Sequence, residues 1–195
     1  INLNLISDQD KGIKLISHRY VGEKQILKIS FNNKKYKIIL NLIGKIQTKN
    51  VLMAILAANK SDLEFKKILR VIHKLKPVEG RLEKIGTIKN NSKVILDYAH
   101  TPAALKLSLL SLKEQFPRSK ISLVFGCGGE RDFKKRSLMG KIADKYSDKI
   151  YITDDNPRNE KPSKIRKDIK KGIKKNKVLE FPDRKKAIHK ALMTL

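Results

Sequence analysis

The spacing of apolar residues changes along the chain, and each change predicts a different kind of element. Short alternating or apolar runs occupy residues 13–16, 25–31 and 36–40. The pair Asn32-Asn33 lies between the last two runs, as is typical of a tight hairpin turn. Residues 13–42 therefore predict an antiparallel meander of strands.

Helical spacing replaces this alternation after the meander. Apolar residues in the segment 50–58 cover most of a helix circumference, which predicts a buried helix. Ser61 or Asp62 can cap a second helix, whose pattern continues to Leu75. The first part of the chain thus predicts strands followed by helices.

A segment that contains proline and glycine, residues 76–80, breaks the second helix and predicts a domain boundary near residue 80. The predicted domains are residues 1–80 and 81–195. Beyond the boundary, the order strand, loop, helix repeats, with Thr101 and Pro102 as the cap and first residue of one helix. The strand-like runs are residues 93–96, 121–125, 150–152 and 178–181. This alternation predicts an α/β fold with a doubly wound parallel sheet.

Each helix in the second part has apolar residues at helical spacing. The first helix has Leu105, Leu109, Leu112 and Phe116 on one face, and the later helices are marked by Leu138, Ile142 and Tyr146, by Ile165, Ile169 and Ile173, and by Ala187, Ile188 and Ala191. Ligands of such folds bind beyond the carboxyl ends of the strands. Unusual polar residues follow the strands directly: Asp97, His100, Glu130, Arg131, Asp155, Asn156 and Arg158. We expect them to lie along one edge of the sheet.

The segment Asp155-Asn156-Pro157-Arg158 is the most informative of these. Pro157 forces Asn156 away from helical geometry and fixes its own φ, so Asn156 and Arg158 extend from a stiffened loop. A planar guanidinium held there suits a carboxylate or a phosphate, to which it can donate two parallel hydrogen bonds. The plainer alternative is a helix entry with charged caps.

The net charge of +26 suggests nucleic acid or an anionic membrane as partner. However, the excess lysines are spread over every segment and accompany many Asn and Ile residues, as a bias toward A/T-rich codons would produce. Only 6% of residues are aromatic, so specific nucleic-acid binding is disfavoured. The sequence has no apolar run long enough to span a membrane, and its first residues do not resemble a signal peptide. Its single cysteine is compatible with a reducing cytoplasm.

Other motifs carry weaker signals. Residues 126–129, Gly-Cys-Gly-Gly, resemble a phosphate loop only in outline, and a tight turn explains them better, since the sequence has no Walker A motif. Asp97 suits either ribose hydroxyls or a helix cap. Arg81 is either part of a solvated hinge or a phosphate ligand in an interdomain cleft. A thiol nucleophile formed by Cys127 and His100 is disfavoured, because no third group orients them.

Several motifs in register closely resemble the Mur ligase family, and within it the branch that adds meso-diaminopimelate. The resemblance covers about residues 40–195. The motifs are Gly80-Arg81-Leu82-Glu83, Asp97-Tyr98-Ala99-His100-Thr101-Pro102, Phe125-Gly126-Cys127-Gly128-Gly129-Glu130-Arg131-Asp132, Lys135-Arg136-Ser137-Leu138-Met139-Gly140 and Asp155-Asn156-Pro157-Arg158. The resemblance implies that residues 1–80 are the tail of a central ATPase domain. Residues 81–195 would be most of a Rossmann-like C-terminal domain, so that the chain is a fragment without its P-loop.

The resemblance also implies a chemistry and a set of site residues. ATP with Mg²⁺ would phosphorylate the terminal carboxylate of UDP-MurNAc-L-Ala-D-Glu, and the amine of meso-diaminopimelate would attack the acyl phosphate, in cytoplasmic peptidoglycan precursor synthesis. The implied nucleotide-binding residues are Asn50, Arg81 and Asp97, and the implied diaminopimelate-binding residues are Arg131, Asp155, Asn156 and Arg158. A monomer is expected, and this fragment alone is expected to be inactive.

The sequence departs from the family pattern at a few positions. Gln47 and Lys49 replace the usual neighbours of Asn50, Glu130 replaces an acid of shorter side chain, and Ser137 replaces a proline. Two alternatives stay open. One is a related Mur-type or folylpolyglutamate-type ligase for another amino acid, and the other is a non-catalytic basic α/β domain that binds nucleic acid.

Overall fold

The computed structural model describes residues 12–174 and 178–195, which fall into two compact units. The first runs to Glu83 and includes Glu114–Phe116, and the second contains Lys84–Lys113 and Pro117–Leu195. Each unit has its own cluster of buried apolar side chains. The units are therefore described one at a time.

The first unit begins with an antiparallel sheet of order β1-β2-β3, formed by β1 (Lys14–Val21), β2 (Lys24–Phe31) and β3 (Lys34–Leu40). Asn32 and Asn33 join β2 to β3, with φ angles of 48° and 58°. Positive φ at both central residues is what a two-residue hairpin turn matching the strand twist requires. The predicted meander and its turn are confirmed.

Two helices, α1 (Lys45–Lys60) and α2 (Phe65–Val71), complete the first unit, with a short 3₁₀ turn at Ile72–Lys74. The Phe65 ring stacks on Phe31 at 4.1 Å between centroids, which joins α2 to the sheet. The expectation that α1 is buried around most of its circumference is wrong, because Met53 is 54% exposed and only one face packs on the core.

The predicted cap of α2 is also wrong. Ser61 is instead the C-cap of α1, and its N–H donates to the carbonyls of Ala57 and Ala58. Asp62 has a φ of 64° and lies in the turn that follows. Glu64 is the residue at the start of α2, and it makes no side-chain cap hydrogen bond. Ser61 therefore ends α1 and does not start α2.

The second unit alternates strands with helices. Its elements are β4 (Glu83–Ile88), which begins at the boundary, β5 (Ser92–Leu96), α3 (Pro102–Gln115), β6 (Ser122–Phe125), α4 (Lys134–Tyr146), β7 (Lys149–Thr153), α5 (Pro162–Lys170), β8 (Val178–Phe181) and α6 (Arg184–Met193). β6, β7 and β8 form a parallel sheet in that order. The predicted α/β fold with a Rossmann-like parallel sheet is confirmed.

The first predicted strand of this sheet, residues 93–96, is paired differently. It forms β5, whose hydrogen-bonded neighbour is β4 in a separate two-stranded sheet. β4 was missed because Gly86 and its polar neighbours obscure the apolar pattern, and only a 3₁₀ turn at Lys89–Asn91 separates the two strands. The parallel sheet of the described residues therefore has three strands, not four.

The core of the second unit lies between the parallel sheet and its helices. On α3, Leu105 and Leu109 are buried as predicted, and Thr101 caps the helix by accepting a hydrogen bond from the Ala104 N–H at 3.2 Å. On α4 the apolar pattern alone does not identify the buried face, since Leu138 is 46% exposed, whereas Met139 is buried.

Close packing of α4 on α5 explains why Met139 is buried and Leu138 is exposed. A Cβ on Gly140 would lie 3.2 Å from the carbonyl carbon of Ile169 and closer still to its oxygen, so Gly140 has to face α5. Gly172, just beyond α5, meets α4 in the same way, since a Cβ there would lie 2.7 Å from the Lys141 nitrogen. Small residues therefore decide which face of α4 is inward.

Within residues 12–174 and 178–195, no helix combines the length and the apolar composition that crossing a membrane would need.

Candidate functional site

Two loops meet at the carboxyl edge of the parallel sheet. The first, residues 126–133, joins β6 to α4, and the second, residues 154–161, joins β7 to α5. The Gly129 N–H donates to the carbonyl of Asn156 at 2.8 Å, and an Nη1 of Arg158 donates to the carbonyl of Gly129 at 2.6 Å. β6 and β7 are adjacent parallel strands, so chain direction alone brings these loops together.

The glycines of the first loop are needed for this close approach. A Cβ on Gly129 would lie 2.6 Å from the carbonyl carbon of Pro157, and a Cβ on Gly126 would lie 3.2 Å from the Asp155 nitrogen. The N–H groups of Gly129 and Glu130 already donate to protein acceptors, Asn156 O and Glu160 Oε1. The tight-turn interpretation of this loop is therefore favoured over a phosphate cradle.

Arg158 is exposed but directed by the loops around it. Its φ is 50°, and its N–H donates to the side-chain oxygen of Asn156 at 3.3 Å, which closes a turn over Pro157. The guanidinium also donates to Gly129, so contacts with both loops fix its position. Asn156 and Arg158 thus extend together from the second loop, as expected from Pro157 between them.

Arg131 lies on the other loop, in an open recess of about 920 Å³ lined by residues 130–134. The preceding Glu130 has a φ of 50° and accepts a hydrogen bond from the side chain of Asn159 at 2.7 Å. This contact crosses between the two loops, so Arg131 and Arg158 project from loops that are bonded to each other.

Asp155 has a partner on α6. Its Oδ1 lies 3.5 Å from Nη2 of Arg184, and the Nε of Arg184 donates to the carbonyl of Asp154 at 3.1 Å. The carboxylate of Asp154 is paired with Arg166 of α5. Arginines from two helices therefore support the start of the second loop, and Asp155 belongs to this ionic group.

Arg136 lies in one of the family motifs, but the sequence interpretation gave it no role. It is fully buried, and its two terminal nitrogens donate to both carboxylate oxygens of Glu160, at 2.9 and 2.7 Å. This pairing raises the pKa of Arg136 and lowers that of Glu160. A signal was available, because residue 136 shares one helical face with Met139 and Ala143.

The proposed nucleotide residues are spread over both units. In the first, Asn50 is exposed on α1, and the carbonyl of Arg81 accepts a hydrogen bond from the buried side chain of Gln47 at 2.9 Å. In the second, Oδ1 of Asp97 accepts from the Ala99 N–H at 3.0 Å and from the Ser108 hydroxyl at 2.8 Å. Asp97 thus orders the segment that leads into α3, without being its cap.

Cys127 and metal chemistry can be judged from the same region. Burial raises the pKa of the Cys127 thiol to about 11, so it is protonated at neutral pH and unsuited to nucleophilic attack. Within the part of the chain that the structure describes, no three His, Cys, Asp or Glu side chains are grouped as metal ligands would be.

Comparison with known proteins relates this geometry to other chains. A UDP-N-acetylmuramoyl-L-alanyl-D-glutamate–2,6-diaminopimelate ligase of Rickettsia felis is 41% identical over 192 residues, which are 92% of this chain and 36% of that protein. A solved structure of an enzyme with this name has a TM-score of 0.64 at 29% identity, covering 94% of this chain and 37% of that one.

More distant proteins share the fold. A folylpolyglutamate synthase of Mycobacterium tuberculosis, complexed with ADP, has a TM-score of 0.73 at 17% identity, covering 96% of this chain and 41% of that one. The chain spans little more than a third of the length of the Rickettsia relative. The family model for the Mur ligase glutamate ligase domain matches residues 80–195. The chain therefore belongs to the Mur ligase family.

Proposed function

We propose that the second unit binds the amino acid that a Mur ligase adds, and that this amino acid is meso-diaminopimelate. The observation that carries the proposal is the fixed position of Arg158 and Asn156 at the carboxyl edge of the sheet. A hydrogen bond within the second loop holds the Asn156 side chain, and one between the two loops holds the Arg158 guanidinium, before any ligand arrives. Such preorganisation lowers the entropy cost of binding.

The far end of diaminopimelate explains why an arginine fits. That end has both a carboxylate and an ammonium group, whereas lysine has the ammonium alone. The fork of Arg158 suits the carboxylate, Asn156 can donate or accept beside it, and Asp155 can attract the ammonium group. In this proposal Arg131, across the loops, binds a further carboxylate of the amino acid.

The complete reaction would join diaminopimelate to UDP-MurNAc-L-Ala-D-Glu, the two substrates in the names of the relatives, and ATP would drive it. The proposal assigns nucleotide contacts to Asn50, Arg81 and Asp97. In this proposal the ATP phosphates and Mg²⁺ are held largely by other parts of the enzyme, because the sequence of this chain contains no Walker A motif. A domain division at residue 80, a monomeric enzyme and a cytoplasmic location are also parts of this proposal.

The test is the substitution Arg158→Lys in the full-length ligase, which keeps the charge and removes the fork. We expect kcat/KM for meso-diaminopimelate to fall by about 10- to 100-fold, because hydrogen bonds to charged groups contribute about 1.5–3 kcal/mol. Activity with lysine, which lacks the distal carboxylate, should change little. The measurement is phosphate release with each amino acid at saturating ATP.

Arg118→Lys is the matched control, because Arg118 is an exposed arginine of the same unit outside both loops. It should leave both activities unchanged. Equal kinetics for Arg158→Lys and the parent enzyme would remove Arg158 from the amino-acid site. A parent enzyme that prefers another amino acid in a substrate panel would support the related-ligase alternative, which the fold similarity to folylpolyglutamate synthase allows.

A further inference from the structure

Arg136 contacts both of the loops that meet at the carboxyl edge of the sheet. Besides its two bonds to Glu160, its Nη2 lies 3.4 Å from the carbonyl of Gly128 in the first loop, and its Nη1 lies 3.3 Å from Asp168 on α5. The Phe133 ring covers the guanidinium, with 4.7 Å between its centroid and the Arg136 Cζ. A single buried side chain of α4 thus joins the glycine loop, the second loop and the neighbouring helix.

Glu160 links Arg136 to the backbone of both loops. Its Oε1 accepts a hydrogen bond from the Glu130 N–H at 2.5 Å, and its own N–H donates to the carbonyl of Pro157 at 3.0 Å. Its side chain is 15% exposed. Only a carboxylate can accept from both arms of the guanidinium and from a backbone N–H at the same time. An amide at this position would have one oxygen for all three donors.

The backbone on either side of this pair carries the proposed ligand residues. Arg131 follows Glu130 directly, and Arg158 follows Pro157 directly. A shift of Glu130 or Pro157 would therefore move one guanidinium relative to the other. Because bidentate recognition of a carboxylate depends on geometry, small shifts are costly for affinity.

We propose that Arg136 and Glu160 are positioning residues, which set the spacing between Arg131 on one loop and Asn156 and Arg158 on the other. The proposal rests on the function proposed above, and it adds a pair of residues that do not touch the substrate. The pair acts by fixing backbone, so its loss should affect the amino-acid substrate more than ATP.

The experiment compares Glu160→Gln and Arg136→Lys in the full-length ligase with Glu180→Gln. Glu180 is a matched control, because its carboxylate also accepts from a buried arginine, Arg166, at 2.7 Å, and from Lys170 at 3.0 Å, both on α5. Kinetics are measured separately for diaminopimelate and ATP. Hydrogen exchange of the Gly129 and Glu130 amides is followed alongside that of the β7 amides.

For Glu160→Gln we expect KM for diaminopimelate to rise about tenfold, and KM for ATP to change less than about twofold, since roughly one charge-assisted hydrogen bond is weakened. Exchange should accelerate at Glu130 and stay slow in β7, which shows that the domain is folded. Arg136→Lys should act in the same direction. Glu180→Gln should leave KM for diaminopimelate at the parent value.

Two results would overturn the positioning role. One is an unchanged KM for diaminopimelate in Glu160→Gln despite faster exchange at Glu130, and the other is an equal rise in Glu180→Gln, which would indicate general destabilisation. Failure of the proposed function looks different, because the parent enzyme would then reject diaminopimelate. In that case the same KM comparison, made with the amino acid that the parent does use, decides the positioning role.

Discussion

At Gly129 the two loops approach closely, and the substitution Gly129→Ala tests that approach directly. The φ of Gly129 is not in the left-handed region, so alanine does not meet the strain of a positive φ there. The cost comes from the added methyl group, which would lie 2.6 Å from the Pro157 carbonyl carbon and closer still to the oxygen. That oxygen is backbone and cannot rotate away as a flexible side chain would.

The magnitude follows from two contributions. Forcing a methyl group into packed atoms costs about 1–3 kcal/mol, and displacing Pro157 weakens the Gly129–Asn156 hydrogen bond, which contributes about 1 kcal/mol. We therefore expect the free energy of unfolding of the second unit to fall by about 2–4 kcal/mol. For a domain of this size, that is a decrease in Tm of about 10 °C or more.

Differential scanning calorimetry of the full-length protein measures this change in the transition of the second unit. Gly86→Ala is the matched control, since a Cβ on Gly86 would meet no atom within 4 Å. That variant should be neutral or stabilised by up to about 0.5 kcal/mol, because alanine suits a strand better than glycine. If Gly129→Ala and Gly86→Ala have the same Tm, the close contact with Pro157 does not constrain the loop.

Two further predictions concern helix capping and pH. Asp183→Ala removes the side-chain acceptor for the Lys186 N–H at the start of α6 and should cost about 1 kcal/mol in chemical denaturation, whereas Asp183→Ser should retain most of the stability. Ionic partners lower the pKa of Glu160, Asp168 and Glu180 below their usual values. The ion pairs therefore stabilise the folded unit above about pH 4.5, and this stabilisation is lost as the pH falls through the pKa values of the folded protein. The Tm of the second unit should therefore decrease on acidification below pH 4.5, and less steeply in Glu180→Gln; a Tm of the parent that is independent of pH there would contradict this reasoning.

Local rules in the sequence were sufficient for much of the fold and for the position of the two loops. Asn32-Asn33 has the residues that a tight hairpin needs, and Thr101-Pro102 has those of a helix start. Asn156 and Arg158 follow a strand and flank a proline, so chain order alone placed them at the carboxyl edge of the sheet. These features depend on neighbours within a few residues, which a sequence displays directly.

Features that depend on distant partners were not predictable in the same way. Arg136 is charged, and the two carboxylates that pair with it, Glu160 and Asp168, lie 24 and 32 residues away. Leu138 is exposed because Gly140 must face α5, a requirement that lies on another helix. The pairing of β5 with β4 was missed for a different reason, since β4 is adjacent in the sequence but its own apolar pattern is weak.

The single cysteine of the chain offers an intrinsic probe of motion in this domain. Cys127 is 4% exposed, and its sulfur lies 3.7 Å from that of Met139 in the core. With a thiol pKa of about 11, alkylation at neutral pH requires the first loop to open and the thiol to ionise. The ratio of labelling rates in the native and denatured protein therefore reports the population of the open loop, without any engineered label. A ligand that bridges the two loops would reduce that population, so its binding could be followed as slower alkylation of one native residue.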